Sequence, residues 1–244
     1  MDYQVIGTGN RGNCVIVDTA IAIDMGVRWE DVKRRAKNLM LVLLTHEHAD
    51  HFKLSTLRKL HGTYPKIHFA CPPHMLVPLC TEAGIPPIKI TVIEPGTSFT
   101  FRHLPCGDLQ TTPFSLLHNV PNVGWLLKSK SWGALYATDT QYIPISAPDL
   151  DLYLVECNYR GDELRQRKQW KEEVGLPSFE ENVARFHMSF ETVMTWLTLN
   201  ASPHSKIEFL HQHVRKEETD LDTVDTSSLQ PDHPSQNLGS GGPA

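Results

Sequence analysis

Between residues 41 and 51 an apolar run, Leu41-Val42-Leu43-Leu44, leads through Thr45 into His46-Glu47-His48-Ala49-Asp50-His51. Four potential metal ligands fall within six residues. Side chains alternate along an extended segment, so His46 and His48 project from one side. Asp50 and His51 follow a turn later and can reach the same cavity. Imidazole suits a borderline ion such as zinc, and a carboxylate suits a harder ion or a bridging position. Three histidines and an aspartate this close exceed what one tetrahedral ion needs once further ligands arrive. The spacing therefore points to two adjacent divalent ions sharing a water or hydroxide, with zinc the first candidate and manganese the second.

Such a cluster needs rigid elements that end at one place. Strands are expected at 3–7, 14–18, 21–24, 39–44, 67–70, 89–93, 98–104, 110–117, 124–129, 134–137, 150–156 and 207–210, all short runs rich in Val, Ile, Leu and aromatics. Helical patterns are expected at 28–37, 53–60, 73–83, 160–173, 179–186 and 190–200. In the last, Phe190, Val193, Met194 and Leu197 share one face, and Ser189 is a candidate N-cap with Thr192 three residues on. About a dozen strands with helices in the connections imply a layered α/β protein, sheets packed together and helices outside. The stretch Gly7-Thr8-Gly9-Asn10-Arg11-Gly12-Asn13 leads into a strand rather than a helix. It is read as a hairpin turn, not a phosphate-binding loop.

The segment Thr45–His51 matches the HxHxDH motif of the metallo-β-lactamase superfamily, which the sequence resembles across residues 1–215. The resemblance implies a single-domain αββα four-layer sandwich with metals at one rim. Asp24-Met25-Gly26 resembles the family's first motif, whose aspartate supports the ligand loop. By the same resemblance, His118 is the third histidine of the first site, Asp139 the bridging carboxylate and His211 the last histidine. One ion would then take His46, His48 and His118. The second would take Asp50, His51 and His211, with Asp139 and a hydroxide bridging and Asp50 orienting that nucleophile. Many relatives carry Ser two residues after the last histidine, whereas here His211 is followed by Gln212 and His213. On a strand-like end His213 points the same way, so either can be the ligand, with His211 favoured.

The superfamily hydrolyses lactams, thioesters, lactones and phosphodiesters, so the fold alone leaves the substrate open. Glu156, ending a late apolar run, and His187-Met188-Ser189 resemble features of the nuclease branch, the tRNase Z-like enzymes and small single-domain exonucleases. The segment from His118 to Trp125 likewise resembles phage and bacterial proteins of that branch. The resemblance implies that His187 donates a proton to the leaving oxygen and that Glu156 orients it. The expected function is a dinuclear metal-dependent phosphodiesterase acting on nucleic-acid ends or a cyclic nucleotide. A hydrolase of small esters, thioesters or lactones on the same site is the alternative. A metal-binding adaptor is a third class, disfavoured because a binding role needs no activated water. The remaining histidines, at 61, 68, 74, 103, 204 and 233, stand singly without ligand spacing and read as surface or capping residues.

Composition bounds this reading. The 244 residues contain no apolar run of membrane-spanning length and no export-type N-terminus, so a cytoplasmic protein without a membrane partner is expected. Five cysteines without a CxxC pair fit reduced thiols in that compartment. The net charge of −5 resides in residues 216–244, which carry six acids against one base; residues 1–215 are balanced. Residues 216–244 are expected to be a disordered acidic tail, since they hold too few apolar groups to offset ordering. A basic cluster (Arg160, Arg165, Arg167, Lys168, Lys171) falls between Glu156 and His187, tempered by interleaved acids. Nucleic acid or a nucleotide is the expected substrate partner, with a strand end or a small cyclic nucleotide favoured over a long polymer in a deep groove. A homodimer is left open.

Overall fold

The computed structural model describes residues 1–212. The expected tail at 216–244 and His213 lie outside the described residues. Six strands form one sheet in the order of the chain: β1 (Tyr3–Gly7), β2 (Cys14–Val17), β3 (Ile21–Ile23), β4 (Leu41–Leu43), β5 (His68–Cys71) and β6 (Ile90–Val92). The second sheet contains β7 (Phe99–Leu104), β8 (Gly107–Leu116), β9 (Asn122–Lys128), β10 (Gly133–Ala137), β11 (Leu152–Glu156) and β12 (Lys206–Leu210), again in sequential order.

Two-residue alternation assigns each strand's side chains to layers. Val15, Val17, Ile21, Ile23, Leu41 and Leu43 pack against Trp125, Leu127, Tyr136, Leu152 and Leu154 between the sheets. The intervening Ile16, Ala22 and Val42 face outward, where α1 (Trp29–Ala36) and α2 (Leu54–Thr63) cover them through Val32, Ala36, Leu57 and Leu60. On the far side Leu135, Ala137, Tyr153 and Val155 meet Val193 and Leu197 of a later helix, Phe190–Asn200. Both sheets are covered on both faces, giving the four layers expected. Trp125, wholly buried, donates its indole N–H to the Leu44 carbonyl at 3.3 Å and so ties the second sheet to the start of the histidine loop.

Strand direction positions the site. β3, β4 and β5 run parallel in one sheet and β10, β11 and β12 in the other. Asp24, residues 45–51, Asp139, Glu156 and His211 all lie at or just beyond the C-terminal ends of these strands, where parallel sheets leave a crevice. β4 is three residues long, shorter than the 39–44 expected, because the chain leaves the sheet to build the loop. The helix expected at 73–83 is instead a 3-10 turn (Pro73–Met75) followed by a π turn (Pro78–Glu82). Pro72, Pro73 and Pro78 lack the N–H groups an α-helix needs, although Met75, Leu79 and Ala83 keep helix-like burial. Residues 7–13 form the expected hairpin connection between antiparallel β1 and β2.

An excursion between β11 and the last helix carries α3 (Gly161–Glu173) and α4 (Glu180–Phe186); the helix Phe190–Asn200 is α5, capped by Ser189 Oγ accepting the Thr192 N–H at 3.1 Å. Glu180 pins α3 to α4. Its buried carboxylate lies 2.7 Å from Lys171 Nζ and 3.1 Å from Arg167 Nε, and it accepts hydrogen bonds from Ser178 Oγ and the Phe179 N–H. Burial opposes its ionisation, but Lys171, Ser178 and the backbone prevail and hold the carboxyl at about 2, against an ordinary 4.5. A depressed pKa contributes stability that is present above the unfolded value and lost as pH falls towards the folded one. Amide exchange over 161–186, corrected for intrinsic rates, should therefore lose protection between pH 4.5 and about 2 while the sheets keep theirs, and Glu180→Gln should abolish that dependence. Unchanged protection in the wild type would show that the pairing is not what holds the excursion. Among the described residues all five cysteines are free, and no helix is long and apolar enough to cross a membrane.

Candidate metal centre

Asp24 organises the histidine loop. Wholly buried, it accepts the Thr45 N–H (2.9 Å), the Thr45 hydroxyl (2.9 and 3.0 Å) and the Tyr136 hydroxyl (3.0 Å). His51 Nδ1 lies 2.6 Å from Asp24 Oδ2, the oxygen that also accepts the Tyr136 hydroxyl, so the ring's Nε2 is turned to the cluster, 2.9 Å from Asp139 Oδ2. A carboxylate that fixes a ring's orientation and tautomer in this way is the usual support of a metal-binding histidine. The supporting role expected of Asp24 is thus seen directly.

Ligand-type atoms collect into three overlapping groups, each with its atoms within 4.8 Å of one another. They are His46, His48 and His118; His46, His51 and Asp139; and Asp139, Glu156, His187 and His211. His46 and Asp139 each belong to two of them. Asp139 and His211, together with the supporting Asp24, adopt positive φ (57°, 55° and 58°), a left-handed conformation that turns the chain as it leaves β10, β12 and β3. Asp50 stands at the margin, its Oδ2 3.8 Å from His51 Nε2 and its side chain 27% exposed, so it joins none of the three groups.

The electrostatics divide the histidines into two kinds. Burial pushes the His46 ring well below its ordinary value, and burial likewise lowers His118 to about 4, so both are neutral and carry lone pairs at pH 7. His46 Nε2 and His118 Nδ1 are buried without a hydrogen-bond partner among the described residues. Burial also opposes protonation of His51 and His211, but carboxylates outweigh it: Asp139 and Asp24 raise His51, and Asp139 and Glu156 raise His211 to about 10. The protein thus balances buried carboxylates with imidazolium protons, which bound cations would displace. This donor set, neutral nitrogens and displaceable protons gathered around a buried carboxylate, fits divalent ions.

His187 and Glu156, widely separated in sequence, meet at 2.6 Å between His187 Nδ1 and Glu156 Oε1. Glu156 is wholly buried and its other oxygen accepts the Thr140 N–H at 2.9 Å. His187 sits where α4 ends, and residues 158–159 hold the following segment through Asn158 N–H to the Met188 carbonyl and the Phe190 N–H to the Tyr159 carbonyl. Its ring lies 5.0 Å from that of His211 and 5.8 Å from that of His118. His211 Nδ1 lies 3.2 Å from both Asp139 and Glu156, while its N–H donates to Thr8 Oγ1 at 2.6 Å.

The hairpin turn at 7–13 also builds the site, which its reading as a plain connection did not anticipate. Asn13, buried, donates from Nδ2 to the Asp50 carboxylate at 3.3 Å and accepts the Gly9 N–H at 2.8 Å. Asn10 Oδ1 lies 3.3 Å from His211 Nε2. Asn122 donates to the carbonyls of Thr138 and Asp139, fixing the turn that presents Asp139. An asparagine far away in sequence carries no spacing signal, although the turn-rich composition around Asn10 and Asn13 marks a defined loop. The other single histidines join no ligand group among the described residues; His68, for example, bonds Thr91 Oγ1 at 2.8 Å.

Gly26 shows how tightly the loops meet. A methyl there would stand 1.7 Å from the Asp50 carbonyl oxygen, a backbone atom that cannot yield cheaply. Gly26→Ala should displace Asp50 and His51 and lower hydrolytic kcat/KM by about 10²-fold, the usual effect of misplacing reactive groups by an ångström. Kinetics with a circular dichroism spectrum test it; wild-type activity would show that the loop has slack.

The sequence matches the model of the Beta-lactamase superfamily domain over residues 15–209. Among solved structures, the human tRNase Z short form, ELAC1, shares 14% identity with a TM-score of 0.61, covering 87% of this chain and 93% of that one. Zinc-bound PqqB from Methylobacterium extorquens shares 13% at 0.61, with 87% and 89% covered. A diphosphatase of the PhnP family shares 16% at 0.56, with 86% of each chain covered. No curated protein matches the sequence significantly.

Proposed function

The chain belongs to the metallo-β-lactamase superfamily, and from that premise we propose that it is a two-metal phosphodiesterase acting on nucleic-acid ends or a cyclic nucleotide. The observation that carries this reading is the His187–Glu156 contact of 2.6 Å beside Asp139. Glu156, fixed by the Thr140 N–H, holds His187 by Nδ1 and leaves Nε2 as the nitrogen that can give a proton. An alkoxide leaving from phosphorus needs such a proton, and a positioned imidazole of this kind is worth about 10²–10⁴ in rate.

His46, His48 and His118 would hold one ion, and Asp50, His51 and His211 the other, with Asp139 between them; zinc is preferred and manganese the alternative. Bound there, the pair would supply Lewis acidity, neutralise charge on the phosphate and lower the pKa of a water. Asp50, the ligand loop's partly exposed carboxylate, orients the attacking water by accepting its hydrogen bond. Asp24 and Asn13 keep His51 and Asp50 in place while this happens.

Two fold relatives, a tRNase Z and a diphosphatase, are named for hydrolysis at phosphorus, which supports the reading. The basic cluster on and just before α3 supports a small substrate over a long polymer. Arg167 and Lys171 face Glu180, Lys168 faces Glu172 and Glu181, and Arg160 lies 4.0 Å from Glu163; of the five, Arg165 alone has no carboxylate within 4.0 Å among the described residues, so these charges do not make an open basic groove. Full-length protein loaded with zinc or manganese should turn over bis(p-nitrophenyl) phosphate and labelled oligonucleotides or cyclic nucleotides. Turnover confined to lactones or thioesters would overturn the proposal.

A further inference from the structure

Phe186, the last residue of α4, borders the candidate ligand cluster. Its half-buried ring packs edge-on against the ring of His118, with centroids 5.9 Å apart at 87°. The guanidinium of Arg185 lies over the same ring, 5.4 Å from its centroid, a cation–π arrangement that restrains an otherwise flexible side chain. From the other direction, Gln141, two residues after Asp139, donates to the Ala184 carbonyl at 3.2 Å. The turn carrying Asp139 and the residue next to His187 thus converge on this one corner of α4.

Arg185 differs from the paired cations Arg167, Lys168 and Lys171 of α3 and is set beside the ligand cluster through Phe186. It is exposed and has no carboxylate within 4.0 Å among the described residues, neither on its own helix nor in the metal centre. Its charge is therefore available at the rim and separate from the ligand cluster. A guanidinium presents paired N–H donors that match a phosphate's oxygens in a way a lysine cannot. Its guanidinium lies 5.4 Å from the Phe186 ring, which is itself 5.9 Å from that of His118, close enough to the ligand cluster for a second phosphate of a small substrate bound there.

We propose that Arg185, held over Phe186 beside His118, is a specificity-determining anchor for a terminal phosphate, so that the preferred substrate is a short strand end or nucleotide bearing a phosphate monoester besides the phosphodiester that is cut. This rests on the phosphodiesterase reading and narrows its substrate class. Phe186 acts through Arg185, as a positioning residue: it fixes where the guanidinium sits relative to His118.

The test compares thymidine dinucleotides with a 5′-phosphate, a 3′-phosphate or neither, alongside bis(p-nitrophenyl) phosphate, using metal-loaded full-length protein. The wild type should favour one phosphorylated dinucleotide over the unphosphorylated one by about tenfold or more in kcat/KM, the scale of a charge-assisted hydrogen bond. In Arg185→Ala that ratio should fall to within about twofold of one, with Arg185→Lys intermediate and thermal unfolding midpoints unchanged. Phe186→Leu should lower the ratio chiefly through KM. A wild-type enzyme that cuts dinucleotides without preference, or an Arg185→Ala enzyme that keeps the preference, overturns the anchor while leaving the phosphodiesterase reading intact. So does turnover of bis(p-nitrophenyl) phosphate with no dinucleotide cut. Absence of turnover on every phosphodiester overturns both.

Discussion

Replacing Asp139 with asparagine should lower kcat/KM on bis(p-nitrophenyl) phosphate by about 10³-fold, since the metal pair contributes several kcal/mol to such a reaction. Asp139 is buried and is the group on which the centre converges: His51 Nε2 lies 2.9 Å away, His211 Nδ1 3.2 Å and His118 Nε2 3.9 Å. Burial opposes its ionisation, yet His51 and His211 hold it well below the ordinary carboxylate range. Asparagine keeps the size and tolerates the positive φ of 57°, so the turn pinned by Asn122 should survive. What is lost is the negative charge that would sit between two cations. Metal content after desalting should fall with activity, and the circular dichroism spectrum should not change. A variant that retains two ions and wild-type kinetics would show that Asp139 does not bridge them.

The second large effect concerns His187, and its size should depend on the leaving group. With a dinucleotide, whose leaving alkoxide is a strong base, His187→Ala should cost about 10²–10⁴ in kcat, the range of a lost general acid. With bis(p-nitrophenyl) phosphate the departing phenolate is stable without a proton, so the loss should be under about tenfold. Glu156→Gln should reproduce the pattern in weaker form, because Glu156 touches the leaving group only through His187. Equal losses on both substrates would assign His187 to the architecture of the centre, where its neighbours His118, His211 and Glu156 also lie.

Much of this centre was legible because its signals are local. Alternation along an extended segment places His46 and His48 together, and the apolar run before them announces the strand from which they project. His118, Asp139 and His211 carry no such pattern. They were assigned by resemblance, and the structure brings all three into the ligand groups. For Asp50 the structure shows a partly exposed carboxylate at the edge, so its assignment as a ligand remains part of the proposal. Glu156 and His187 meet because β11 and the segment before α5 run alongside each other, through the parallel bridge of Tyr159 with Ser189. What could not be read lies mostly in single buried polar residues. Tyr136 and Asn122 resemble ordinary strand residues until the turns they hold are seen. The helix expected at 73–83 failed for a different reason: the spacing of Met75, Leu79 and Ala83 is helical, but the prolines forbid the backbone ladder.

A two-metal phosphodiesterase couples metal number to phosphodiester cleavage. Metal-free full-length protein should be titrated with zinc, and separately with manganese, while turnover of bis(p-nitrophenyl) phosphate is followed at each equivalent. The geometry around Asp139 predicts activity that stays low through the first equivalent and reaches its plateau at two ions per chain. A plateau at one ion, or a fully loaded protein that cleaves lactones and no phosphodiester, would contradict it.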